Sequence, residues 1–168
     1  HEVAPVAGGP AETLRRLNAA LHRDLRRGMF MTGIYAEFDA GRRILRLANA
    51  GHNPVLFHRS ATRRLDQLKP GGPALGLAGA DRFDKGLKEA EVSLDLGDRV
   101  VLYTDGAVEV TNPSGDEYGE GRFQGLVALH AAQESNAFVN LVIEELETFR
   151  GDAPPEDDMT VITFAMTV

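Results

Sequence analysis

The 168-residue sequence contains no cysteine. That absence excludes a disulfide framework, a zinc–thiolate site and a thiol nucleophile, and several enzyme classes with them. Long apolar runs are lacking too, and none approaches the roughly 20 residues needed to cross a bilayer. The opening "HEVAPVAGGPAE" has neither the basic start nor the apolar centre of an export signal. The expectation is a cytoplasmic chain without membrane insertion. Positive charge is scarce: Lys and Arg number 18 against 25 Asp and Glu, a net charge of −7. This argues against nucleic acid as a partner, because phosphate-backbone contact needs a basic surface. The one basic cluster, Arg15, Arg16, Arg23, Arg26 and Arg27, reads as the wet face of a helix. The histidines show no HExxH or other metal spacing, and no GxSxG elbow presents a serine. Gly71 and Gly76 have P-loop spacing, but Leu77 stands where a phosphate-binding lysine is required.

What is present suffices for one domain over residues 1–168, since 43% of the residues are hydrophobic and can build a core. After a lead-in over residues 1–10, Leu14, Leu17, Leu21 and Leu25 recur at steps of three and four. They predict an amphipathic helix from about Ala11 to Arg27, stopped by Gly28. "MTGIYAEF", "RILRLANA" and "VLFHR" read as a meander of strands, the first two joined by the turn "DAGR". Glycine and proline make residues 69–80 loop or broken strand. A strand over about Leu87 to Leu94 passes through the tight turn "DLGD" into "RVVLYTDG". A polar loop over Thr111 to Gly121 follows, with Tyr118 and Glu120 taken as surface. Helices are expected near Arg122–Ala132 and Ala137–Arg150, and a last strand in "MTVITFAMTV". Strands in antiparallel-looking runs and helices in a block make an α+β pattern, with a helix pair covering a sheet.

Two acidic features need an explanation. In "VVLYTDGAVEV" a carboxylate, Asp105, sits where a buried strand breaks off. In "PPEDDMT" three carboxylates precede the last strand. If those strands are antiparallel neighbours, Asp105 and Asp157 converge. Convergent carboxylates repel unless a cation lies between them, and oxygen ligands suit Mg²⁺ or Mn²⁺. Two solvated acidic turns are the alternative, and Asp-Gly alone is a common turn signal. His52, in "NAGHNP", reads either as a catalytic group or as a structural hydrogen-bonder at a strand corner.

"NAGHNP", "YTDG" and "DDMT" occur in one order. With "LRRLNAALHRDL", "FMTGIYAEFD", "GGPALGL" and "LDLGDRVVLYTDGAVEVTNPSGDEYGEGR", they resemble the metal-dependent protein phosphatases of the protein phosphatase 2C superfamily. The likeness is to the bacterial branch of sporulation stage II protein E and covers nearly all the chain after Pro10. It implies an antiparallel β-sandwich flanked by helices in α/β/β/α layers, with two Mn²⁺ or Mg²⁺ ions in a cleft at one end. It places Asp105 and Asp157 at metal-ligating positions. Asp158 falls where relatives often carry Asn, as a group orienting Asp157 or water, and Gly106 completes the motif beside Asp105. In such a site two ions lower the pKa of a water held between them, for in-line attack on phosphoserine or phosphothreonine.

One departure qualifies this. The family's two earlier acidic motifs find no match in "HEVAPVAGGP". The chain is therefore expected to be the C-terminal portion of a longer phosphatase, inactive by itself. The expected substrate is a phosphorylated protein of the anti-sigma-factor-antagonist type, under an upstream sensor or receiver domain. Self-association into a homodimer through an open sheet edge is a further expectation. The rival reading is a non-catalytic regulatory module that keeps the fold and binds a partner.

Overall fold

The computed structural model describes residues 8–26 and 28–167. The first seven residues of the lead-in, and Arg27 at the predicted helix end, lie outside them. In chain order the elements are α1 (Gly9–Asp24), β1 (Gly33–Asp39), β2 (Ile44–Ala50), β3 (Val55–Arg59), β4 (Arg64–Leu68), α2 (Ala80–Gly86), β5 (Glu89–Ser93), β6 (Arg99–Tyr103), a single 3₁₀ turn (Asp105–Ala107), α3 (Glu120–His130), α4 (Ser135–Arg150) and β7 (Val161–Ala165). They divide into two compact units. One holds the described residues up to His52 with Lys69–Leu94, and the other Asn53–Leu68 with the described residues from Asp95 onward.

The first unit is an antiparallel sheet of order β1-β2-β5 with α1 and α2. The predicted "DAGR" hairpin forms, with Asp39 Oδ1 accepting from the Arg42 amide at 2.9 Å. Leu14 is buried and Leu17 and Leu21 are partly buried against Ala48, Ala50, Leu75 and Phe83, so the leucine stripe of α1 faces a core. The helix ends at Asp24, with Leu25 already extended, rather than running on to Gly28. Leu25 instead packs on Gly76, where an added Cβ would lie 2.5 Å from the leucine Cδ1. Arg16, Arg23 and Arg26 are exposed, as a solvated face requires.

The second unit is an antiparallel sheet of order β4-β3-β6-β7. The strand runs therefore do not form one meander, because β2 pairs with β1 and β5 while β3 pairs with β4 and β6. Residues of α3 and α4, among them Phe123, Phe138, Val142 and Leu146, bury against Leu56, Val101 and Tyr103 of this sheet. The expected helix pair over a sheet is thus present. Each fully buried side chain of this kind stabilises by about 1.5–3 kcal/mol. The "DLGD" turn is tied from inside. Asp98, 1% exposed, accepts from the amides of Ser60 (2.8 Å) and Asp95 (3.0 Å) and pairs with Arg59. Among the described residues no helix is long and apolar enough to cross a membrane.

Candidate functional site

The site is built where β6 ends and β7 begins. The two strands pair antiparallel from Arg99 opposite Ala165 to Tyr103 opposite Val161, so the end of one lies beside the start of the other. Pairing continues one residue past the strands. The Thr104 amide donates to the Thr160 carbonyl at 3.1 Å. The Thr160 amide donates to Thr104 Oγ1 at 2.9 Å, and the Thr104 hydroxyl donates to the Asp158 carbonyl at 3.2 Å. Thr104 thus fastens the "YTDG" segment to the "DDMT" segment through main-chain atoms on the partner side.

Asp105 opens the 3₁₀ turn, and Oδ1 accepts from the Gly106 amide at 3.1 Å. Gly106 is buried against the other loop: an added Cβ would lie 2.5 Å from the Asp158 carbonyl oxygen and 3.0 Å from its carbon. Only glycine allows that approach. Asp157 Oδ1 accepts from the Asp158 amide at 2.7 Å. Asp105, Asp157 and Asp158 are all exposed. Their carboxylates therefore stand in water on loops whose backbones are locked. Behind them Tyr103 is 3% exposed, packs on Phe123 with ring centroids 4.6 Å apart, and its pKa is pushed up to about 12 by burial and by Glu120. It stays a neutral phenol under ordinary conditions.

The donors are hard oxygens, the chemistry that Mg²⁺ and Mn²⁺ take. In kind they fit such an ion and in number they fall short. Among the described residues no group of three or more His, Cys, Asp or Glu side chains lies close enough together to hold a metal ion.

Other predicted positions resolve differently. Asn49, 1% exposed, accepts from the His52 amide at 2.7 Å and donates to its carbonyl at 3.0 Å, so this corner is held through the His52 backbone. Tyr118 is a correction. It is 5% exposed and meets Phe149 edge-on at 5.1 Å, because the polar loop folds back and the Tyr118 amide donates to the Val110 carbonyl. Glu120 is exposed, as expected. Sequence reasoning missed Thr104, whose role depends on a residue 56 positions away, and Arg150, which lines a cavity with Gly106 and Asp157.

Comparison with known proteins bears on these observations. The family model described as "Stage II sporulation protein E (SpoIIE)" matches residues 2–167. The phosphoserine phosphatase RsbU of Bacillus subtilis is 25% identical over 159 residues, covering 95% of this chain and 46% of that protein. The chain thus spans about half the length of this relative. Among solved structures, the SiaA-PP2C domain of Pseudomonas aeruginosa superposes with a TM-score of 0.79 at 24% identity, over 94% of this chain and 61% of that one. The phosphatase domain of the cell fate determinant SpoIIE from Bacillus subtilis, presoaked with Mn, gives 0.65 at 17% identity, over 96% and 68%. The fold is accordingly of the protein phosphatase 2C type, antiparallel sheets flanked by helices.

Proposed function

The chain belongs to the stage II sporulation protein E family, and from that premise we propose that it is part of a metal-dependent protein serine/threonine phosphatase. The observation that carries this reading is the β6–β7 register with the Thr104–Thr160 bonds, which brings the two acidic segments to one place. Asp105 and Asp157 would each ligate Mn²⁺ or Mg²⁺, with further ligands from outside the described residues. When bound, such ions lower the pKa of water and neutralise phosphoryl oxygens. The chain's own contribution is to hold the carboxylates. Asp158 presents its amide to Asp157 and so fixes the orientation of that carboxylate, while Gly106 lets the loops approach. A phosphorylated regulatory protein of the anti-sigma-factor-antagonist type is the proposed substrate. RsbU, by name a phosphoserine phosphatase, supports that class. An upstream sensor or receiver domain and a cytoplasmic setting complete the proposal. Homodimerisation through an unpaired edge at β1 or β7 belongs to it as well.

The test is hydrolysis of a phosphoserine protein by the gene product that carries this chain, with Mn²⁺ and after chelation. Turnover that needs the metal is expected. Turnover unaffected by chelation, or none on any phosphoprotein, would overturn the reading. The 168-residue chain alone is expected to bind Mn²⁺ only weakly, on the order of millimolar, because so few anionic ligands gain little from a cation that keeps its waters.

A further inference from the structure

Arg150, the last residue of α4, is the one cation among the described residues lining a cavity of about 240 Å³. Gly106 and Asp157 belong to the same lining, so the cavity adjoins the two acidic segments. Val110, Pro155 and Met159 give it apolar wall, while Glu109 and Glu156 add carboxylates.

The guanidinium is poorly used within the chain. Among the described residues its Nε is buried without a hydrogen-bond partner, a state that ordinarily destabilises and that few groups in folded proteins show. Its nearest carboxylate, Glu147, stands at 4.0 Å on a side chain 59% exposed, a geometry that contributes little. Arg99 in the same unit is the contrast, since it donates to three acceptors. An uncommitted planar fork beside candidate metal ligands suits an oxyanion with two oxygens to offer, and phosphoryl groups are the usual match. Glu109 and Glu156 repel an anion, and Glu156 is partly occupied by the Thr111 hydroxyl at 3.1 Å. Asp157 is a third carboxylate in the lining, so offsetting its charge would favour entry of an anion beside Arg150.

We propose that Arg150 is a substrate-binding residue that grips the phosphoryl oxygens of the substrate's phosphoserine, in a cavity that accepts them only after the cation is bound. This rests on the functional reading above.

The experiment uses the full gene product and inorganic phosphate as probe, followed by calorimetric titration and thermal unfolding. With Mn²⁺, phosphate should bind and raise Tm, and without Mn²⁺ it should do neither. Arg150→Gln should weaken phosphate binding at least about tenfold, the loss of one charged hydrogen-bonding group. Arg150→Lys should fall between, since it keeps charge and loses the fork. Glu147→Gln should bind as wild type. With a phosphoserine peptide, Arg150→Gln should raise KM more than it lowers kcat. Phosphate binding by Arg150→Gln equal to wild type would overturn the proposal, and so would metal-independent binding. Should Arg150→Gln fail to fold, Glu109→Gln tests the same field from an exposed position. It should tighten phosphate about two- to threefold by removing a repelling charge, and unchanged affinity would overturn the proposal. Failure of the wild type to hydrolyse phosphoserine while it still binds phosphate through Arg150 would sink the functional reading alone.

Discussion

Strand β6 has two ends, and they are built on opposite rules. At its start Arg99 is fully buried, donates from Nε to the Ala131 carbonyl at 2.8 Å and from Nη1 to Thr163 Oγ1 at 2.9 Å, and reaches the Gln133 carbonyl. Its guanidinium lies 4.5 Å from the Phe138 ring centre. Burial lowers its pKa while Glu134 opposes that shift. At the other end Asp105, just past the strand, is exposed, and its carboxylate accepts from the next amide. The charge at the start serves packing, whereas the charge at the end is left available. A charge whose bonding capacity is used inside the fold has nothing left for a ligand.

The contrast breaks most sharply at the acidic end. Asp157→Asn should lower metal-dependent phosphatase activity of the gene product by more than about 100-fold, beyond the range for groups that only support a ligand. Asp158→Asn should lose about tenfold or less, and both should keep the wild-type Tm. Equal losses, or a greater loss at Asp158, would mean that the ligating position is misassigned. Arg99→Ala should do the reverse. Leaving three acceptors and a cavity costs about 3–5 kcal/mol, a fall in Tm of about 10 °C for a chain of this size. Turnover per folded molecule should stay unchanged, as calorimetry paired with activity normalised to folded protein would establish.

Gly106→Ala sharpens the comparison because it affects both properties. The new methyl would meet the Asp158 carbonyl at 2.5 Å, so the loops must part. About 1–3 kcal/mol of stability should go, together with much of the activity. A crystal structure with unchanged loop spacing would contradict this. The smallest effect is at His58, 7% exposed on β3. Burial lowers its pKa, Asp98 opposes and Arg99 adds to the lowering. The unfolded chain binds its proton first. Stability is therefore full above the ordinary pKa of 6.5 and is lost as pH falls from there through the lower folded value. His58→Gln should flatten the fall of Tm below pH 6.5, and an identical slope would remove His58 as its source.

Much of this was legible in the sequence where the physics is local. The leucine stripe of α1, the apolar run of β6, the "DAGR" and "DLGD" turns and the β-branched β7 follow from periodicity and turn chemistry. The meeting of the two acidic segments followed from one topological guess, that β6 and β7 pair antiparallel. What stayed hidden depends on distant partners. Strand β4, "RLDQL", is short and polar and exists because β3 pairs with it. Helix α2, "ADRFDKG", has one buried anchor, Phe83, too little for a periodic signal. Tyr118 sits in a loop whose composition says surface, and only the fold reveals Phe149 beneath it.

The fastening of the acidic loops by Thr104 and the backbone has an evolutionary consequence. Because the exposed carboxylates take no part in the packing described, exchanging them one at a time should leave the fold intact, and under the proposed function only the demand for turnover would hold them in place. Gene duplication would then leave descendants that retain this scaffold as docking proteins after chemistry is lost. Such pseudoenzymes should differ from active siblings at Asp105 and Asp157 while keeping Thr104, Gly106 and Arg99.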